Sequence, residues 1–384
     1  MDRTMQQKIQ MVDLHGQYLK IKAEVDTAIA EVIDSSAFIG GLAVGRFASA
    51  LAQYTGAAHV IPCGNGTDAL QIALMALGLR PGDEVIVPAF TYVASAEVIA
   101  LLGLRPVLVD VDRSTFNIDI SSMERALTSR TRAVIPVHLF GQSCDMAPIL
   151  DFAAAHGLYV VEDNAQSLGA VYTFPDGRRR YTGTLGHIGC TSFFPSKNLG
   201  CYGDGGALFT DDPELAERIR MTANHGQRVK YHHDVVGCNS RLDTIQAAVL
   251  EVKLRHLDEY CAARQEAAAR YRALFSETEG IELPAESPFS THVWHQFTLK
   301  VADGRRNGLK EHLASRGIPS MIYYPLPLHH QQAYRQDGLS LPVAEALAGS
   351  ALSLPMHTEL TRWEQERIAE AVNEFFITQE HGGA

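Results

Sequence analysis

The chain predicts an α/β protein, with a large and mostly parallel sheet domain followed by a smaller C-terminal α/β domain. Three observations carry this. From about residue 58, short β-branched runs alternate with helix-length amphipathic segments, the pattern of βαβ crossovers. Gly and Pro punctuate the joints, with Pro81-Gly82-Asp83 before one strand and Gly157 before another. After Arg241 the pattern changes to a long stretch rich in Ala, Glu, Arg and Leu, then to a new strand and further helices. A chain of 384 residues can bury one large core or two modest ones. The predicted division is 1–250, an N-terminal segment plus the sheet domain, and 251–384, a linking helix plus the small domain.

Each element follows from its own residues. Tyr18 to Ile33 has the apolar spacing of an amphipathic helix, and His59-Val60-Ile61 reads as the first strand. Helical spacing covers Gly66 to Leu77 and Val93 to Leu102, with strands at Glu84 to Val87 and Pro106 to Val109. Ala133 to Val137 and Leu158 to Val161 are two more strands, joined by a helix from Ala147 to His156. Leu242 to about Phe275 reads as one long helix or two nearly continuous ones. Gly280 to Ser290 connects it to a strand at Phe297 to Val301 and a helix at Asn307 to Ser315. A loop rich in Tyr and Pro and the final helices complete the chain. Repeats and low-complexity tracts are absent from the sequence.

Composition narrows the class. Hydrophobic residues at 46% and charged residues at 20% exclude a disordered chain. Lys plus Arg number 33 against 44 Asp plus Glu, a net charge of −11 that argues against nucleic acid as a partner. It leaves anionic small molecules open, because a pocket sets its own potential. Met1 to Gln10 is polar, and the apolar run Ala69 to Leu79 is shorter than the ~20 residues that span a bilayer. No membrane association is expected, and the cytoplasm is the expected compartment. Cys63, Cys144, Cys190, Cys201, Cys238 and Cys261 are scattered with no C-x-x-C pair, which reads as reduced thiols.

The segment around Lys197 carries the most chemistry. The lysine sits in Ser192-Phe193-Phe194-Pro195-Ser196-Lys197-Asn198-Leu199-Gly200, followed by the Gly-dense Gly203-Asp204-Gly205-Gly206. Such a lysine is either an exposed loop residue or a buried one, and burial would turn its ammonium into a nucleophilic amine. Upstream, Glu162-Asp163-Asn164-Ala165-Gln166-Ser167 ends a predicted central strand, where open α/β sheets bind ligands. Asp163 either caps the following turn or holds a pyridine nitrogen protonated, with Gln166 near the ring oxygen. Cys63-Gly64-Asn65-Gly66-Thr67-Asp68 opens a helix after the first strand, a geometry suited to phosphate although neither a P-loop nor G-x-G-x-x-G. Phe90, after the next strand, is either a core aromatic or a platform for a flat ring.

Five motifs in order carry a resemblance. They are Asn-Gly-Thr-Asp-Ala-Leu from Asn65, Pro-Ala-Phe-Thr-Tyr-Val-Ala from Pro88, Glu-Asp-Asn-Ala-Gln-Ser from Glu162, the Lys197 segment, and Gly-Cys-Asn-Ser-Arg-Leu-Asp from Gly237. Together the chain resembles the DegT-type sugar aminotransferases, pyridoxal-phosphate enzymes of the aspartate-aminotransferase fold (type I), from about Val12 to Pro355. The resemblance implies that Lys197 bonds the cofactor aldehyde and that Asp163 pairs with the pyridinium nitrogen. It implies that Gln166 contacts the ring hydroxyl and Phe90 lies over the ring. Gly66, Thr67 and Ser192 would hold the phosphate, with Asn239 reaching the phosphate of the neighbouring subunit in a homodimer with shared active sites. Arg241, Tyr323, Tyr324 and His329 would face the substrate. Relatives often carry His where this chain has Tyr323, which implies altered recognition of an acidic group.

The same resemblance implies two half-reactions. L-glutamate leaves its amino group on the cofactor as pyridoxamine phosphate, and a keto nucleotide sugar accepts it. The wording around Lys197 and the Asn224-to-Asn239 run resemble members acting at C3 of UDP-2-acetamido-2-deoxy-3-oxo-glucuronate for surface glycans such as O-antigen. A dTDP-linked or other 3-keto or 4-keto 6-deoxyhexose is the alternative acceptor. A same-fold dehydratase would carry His in place of Lys197, and a non-catalytic regulator would lose part of this residue set. No metal is expected: His232-His233, His329-His330 and His292-x-x-His295 lack H-E-x-x-H spacing or neighbouring carboxylates. Arg178-Arg179-Arg180 after Pro175-Asp176-Gly177 reads as a hairpin tip.

Overall fold

The computed structural model describes residues 8–381. Two helices lead in, α1 (Leu14–Ser35) and α2 (Leu42–Thr55). The sheet domain then alternates β1 (His59–Cys63), α3 (Gly66–Ala76), β2 (Glu84–Pro88), α4 (Ala94–Leu101) and β3 (Arg105–Val109). It continues with α5 (Ile120–Arg125), β4 (Thr131–Val134), α6 (Met146–His156) and β5 (Tyr159–Asp163). A hairpin of β6 (Val171–Thr173) and β7 (Arg179–Tyr181) precedes β8 (Ile188–Ser192), β9 (Gly206–Thr210) and α7 (Pro213–Ala223). A second hairpin, β10 (Gln227–Val229) and β11 (His232–His233), leads to α8 (Thr244–Leu254) and α9 (Leu257–Leu274). Last come β12 (Ile281–Glu282), β13 (Phe297–Val301), α10 (Arg306–Ser315), α11 (Pro342–Ser350), β14 (Ala351–Leu354) and α12 (Arg362–His381).

Seven strands form the main sheet in the order β1-β9-β8-β5-β4-β2-β3. The fold class expected from the alternation is therefore present, with one difference: β9 runs antiparallel to both β8 and β1. The cause is local. Residues 193–205, which carry Lys197, contain no helix, and without a crossover element the chain can only return antiparallel. Val85, Ile86 and Val87 are fully buried, as a strand covered on both faces requires. Val85 and Val87 face a core with Leu70 and Ile72 of α3, whereas Ile86 faces Met146 and Ile149 of α6.

Behind the sheet, α8 packs with α2 and α1, through Phe47, Leu51 and Leu250 and through Ile21, Val25 and Val249. Residue 250 lies inside α8, and the helical stretch after Arg241 is interrupted at Arg255–His256. The small domain has its own core of Tyr271, Phe297, Leu309, Ile368 and Phe375 on a three-stranded sheet, β12-β13-β14. Arg178, at the tip of the β6–β7 hairpin, bonds Asp176 at 2.6 Å, as the turn residues predict. Among the described residues, no helix is long and apolar enough to cross a membrane.

Gly189 marks the tightest approach in the sheet, since a Cβ there would lie 1.9 Å from the Gly183 carbonyl oxygen. Gly189→Ala is expected to lower stability by about 1–3 kcal/mol or more, read as a fall in the urea midpoint. Gly45→Ala, on the exposed face of α2 with nothing within 4 Å of its Cβ, should raise the midpoint by about 1 kcal/mol through helix propensity.

Candidate active site

The chemistry-bearing residues collect at the carboxyl edge of the main sheet, where the loops after β1, β2, β5 and β8 meet. Asn65 caps α3: its side chain accepts from the Asp68 N–H at 2.8 Å, leaving the Gly66 and Thr67 N–H groups pointing out of the helix end. A Cβ on Gly66 would lie 2.7 Å from the Ser192 Cβ, so only glycine lets this helix end close on Ser192. Ser240 ties the site together from far along the chain. Its hydroxyl accepts from the Gly64 N–H at 2.8 Å and donates to the Asp68 carboxylate at 2.6 Å.

Two consecutive carboxylates end β5, and strand alternation sends them to opposite faces. Glu162 is fully buried, and its oxygens accept from Leu185 N and Gly186 N at 2.6 Å, Gly183 N at 2.8 Å and His138 Nε2 at 2.8 Å. His138 Nδ1 accepts from the Cys144 N–H at 3.1 Å, so the ring is the neutral Nε2–H tautomer. Asp163 turns the other way, with 6% of its surface exposed. One of its oxygens accepts from Ser95 Oγ at 2.8 Å and the other from Ala165 N at 3.1 Å.

Lys197 follows β8 on a tight loop, its N–H bonded to the Phe194 carbonyl at 2.8 Å. Asn198 anchors the loop by donating to the Val293 carbonyl at 2.8 Å. Burial pushes the Lys197 ammonium down to about 8, with the Asp163 carboxylate pulling in the opposite direction. Lys197 is only partly accessible, which sets aside the exposed-loop alternative. Gln166 is oriented at both ends: its oxygen accepts from Phe140 N at 2.7 Å and its nitrogen donates to the Tyr324 hydroxyl at 3.1 Å. Phe90 is 1% exposed, stacked on Phe116 at 6.1 Å and edge-on to Tyr324 at 6.0 Å.

These residues fit pyridoxal phosphate. The α3 N-terminus with Thr67 and Ser192 offers donors to a phosphate, Asp163 offers a carboxylate to a ring nitrogen, and Lys197 offers a desolvated amine. Tyr324 belongs to this cluster and Tyr323 borders it, whereas Asn239 and Arg241 are exposed on the single chain. His329 lies just beyond the Tyr323-Tyr324 segment on the same loop. It is 1% exposed, with Nε2 3.1 Å from Glu345 Oε1 in α11, because burial of its ring demands a polar partner that α11 supplies. Glu345 also gives His329-His330 the carboxylate their sequence neighbourhood lacks, with ligand-type atoms within 4.8 Å of one another. The buried His329 Nδ1 has no protein partner. Ser95 and His138 lie outside the five motifs. Their only signal was placement, Ser95 at the start of a helix and His138 just past the end of a strand.

A sheet edge with a capped phosphate-type helix end, a carboxylate and a desolvated lysine defines a pyridoxal-phosphate-dependent transferase. Residues 19–373 match the DegT/DnrJ/EryC1/StrS aminotransferase family, and the chain belongs to it. It is a sugar aminotransferase that uses pyridoxal phosphate. It is 46% identical to a pleiotropic regulatory protein of Geobacillus stearothermophilus, over 96% of this chain and 98% of that one. It is also 46% identical to the UDP-2-acetamido-2-deoxy-3-oxo-D-glucuronate aminotransferase of Pseudomonas aeruginosa, over 92% of this chain and 96% of that one. Among solved structures, Streptomyces venezuelae DesV in complex with a ketimine intermediate superimposes with a TM-score of 0.91 at 43% identity, covering 96% of this chain and 98% of that chain.

The lowered Lys197 value has a direct readout. In cofactor-free protein, the rate of Lys197 modification by an aldehyde should rise with pH and reach half its maximum near pH 8. Asp163→Asn removes the group that favours the ammonium, so the midpoint should move lower still, followed by mass spectrometry of the Lys197 peptide. Lys197→Ala should cut turnover by about 10²–10⁴-fold or more.

Proposed function

We propose that this protein transfers the amino group of L-glutamate to C3 of UDP-2-acetamido-2-deoxy-3-oxo-glucuronate or a close analogue, in the cytoplasm, for a surface polysaccharide such as O-antigen. The observation that carries the reading is the near full-length likeness to the Pseudomonas aeruginosa enzyme, supported by Lys197, Asp163 and Gln166 at one edge of the sheet. When bound, pyridoxal phosphate supplies an electron sink and carries the amino group between the two substrates. The chain's own residues do the rest. The helix end at Gly66 and Thr67, with Ser192, grips the phosphate. Asp163 holds the ring nitrogen protonated, and its bond from Ser95 fixes the carboxylate's orientation. Gln166 binds the ring hydroxyl, held by Phe140 and Tyr324. Phe90 covers the ring face.

Lys197 would hold the cofactor through its aldehyde and, once displaced by the amino donor, its free amine would serve as base and acid. Its amine takes the proton from the glutamate α-carbon in the first half-reaction and delivers one to the sugar C3 in the second. A value near 8 suits both directions at neutral pH. Arg241 faces the carboxylate of the donor or of the uronic sugar, and Tyr323 takes the place of a histidine common in relatives. Exposure of Asn239 and Arg241 in a single chain supports a homodimer in which Asn239 completes the partner's phosphate site.

Incubation with glutamate and paired 3-oxo and 4-keto UDP sugars, followed by NMR of the product, should give amination at C3. Amination at C4 alone would overturn the assignment. For the shared site, mixing inactive Lys197→Ala with inactive Asn239→Asp protomers should restore turnover, since the mixed dimer keeps one intact site. Continued inactivity of the mixture would show that each chain completes its own site.

A further inference from the structure

Helix α8 clasps the exit of the lysine loop. Gln246, in its first turn, bonds both backbone groups of Tyr202: its oxygen accepts from the Tyr202 N–H at 2.8 Å, and its nitrogen donates to the Tyr202 carbonyl at 3.3 Å. Two turns further along, Lys253 donates to the Gly200 carbonyl at 2.5 Å and lies over the Tyr202 ring, 5.3 Å from its centre.

Lys253 is an unusual choice for this place. It is 1% exposed, and among the described residues no carboxylate pairs with it. Burial pushes its ammonium down to about 8, with the Cys201 thiol opposing the fall and the Arg264 guanidinium adding to it. A buried cation without a counter-ion is less stable than an apolar side chain of similar length, so packing does not account for a lysine here. The Gly200 carbonyl does. It is buried, and among the described residues Lys253 is its only donor. Ammonium and free amine both carry a proton to donate, so the bond survives titration of Lys253.

We infer that Lys253 is a positioning residue for the reaction: by holding the Gly200 carbonyl it fixes the loop that presents the Lys197 amine. Lys197 then sits between two pinned points, its own N–H on the Phe194 carbonyl and Gly200 three residues on. Without the donor, the loop has to shift to let water reach the Gly200 carbonyl. That shift also wets the Lys197 amine, and its value climbs from about 8 toward that of an ordinary lysine. The inference rests on the reading of Lys197 as the reacting amine.

Reductive methylation of the full-length, cofactor-free chain with formaldehyde and cyanoborohydride tests it, with the Lys197 peptide followed by mass spectrometry across pH. In Lys253→Met the midpoint should rise above the parent's, near pH 8, by about half a pH unit or more, a roughly threefold change in acidity. If Lys253→Met does not fold, Lys253→Gln, one atom short of the carbonyl, takes its place with the same expectation. Leu309→Ala opens a cavity in the small-domain core and should lose stability while keeping the parent midpoint. In the pyridoxal-phosphate-loaded enzyme, Lys253→Met should lower kcat about tenfold or more and leave KM for glutamate within about twofold. A parent-like midpoint or kcat in the Lys253 variant, or an equal midpoint shift in Leu309→Ala, would overturn the assignment. A midpoint that depends on Lys253 in a protein that aminates no keto sugar would uphold it and overturn the substrate reading instead.

Discussion

Everything at the sheet edge depends on the Glu162 carboxylate. A buried carboxylate is tolerated only when its lone pairs are filled, and here three backbone N–H groups and the His138 ring fill them. The donors come from the turn before β8 and from the segment after β4. One side chain thus ties the ends of β4 and β5 to the turn that starts β8. Asp163 inherits that rigidity as the next residue, pointing to the opposite face. The pair divides labour along one strand: the first carboxylate is spent on structure, and the second stays available for chemistry.

The same economy holds around Lys197. A loop without regular structure normally gives a mobile side chain, yet this one is crossed by the Phe193–Cys201 backbone bond and by Asn198 to Val293. Gly200 fits only because it lacks a side chain, since a Cβ would lie 2.3 Å from the Pro195 carbonyl. The amine is therefore presented from a fixed backbone inside a desolvated pocket, and the fall in its pKa follows from that placement.

The sequence was most legible where periodicity and strand-end motifs coincide. The elements expected between His59 and Asp163 fall within a residue or two of their bounds, except β4, which ends at Val134 rather than Val137; the short helix α5 was not expected. Pro136 interrupts the run, and its carbonyl instead accepts the Asp163 N–H. The direction of β9 was not legible, because Ala207, Leu208 and Phe209 are buried whichever way the strand runs. The partner of His329 was not legible either, because the carboxylate its ring meets, Glu345, lies sixteen positions on. Ser95 and His138 lie outside any pattern, since they serve the site through contacts that only the folded chain creates.

The placement of α10 in a different core from the sheet has a consequence for how such a protein can change. Helix α10 packs on the aromatic and aliphatic cluster of Tyr271, Phe297, Leu309 and Phe375, whereas α11 belongs to the core that backs β4, β5 and β8. Residues on α10 and on the turn after it can therefore be exchanged without loading the sheet. Drift there would leave the chemistry at the lysine intact. The surface that α10 presents and the catalytic edge of the sheet become separately heritable traits of one chain.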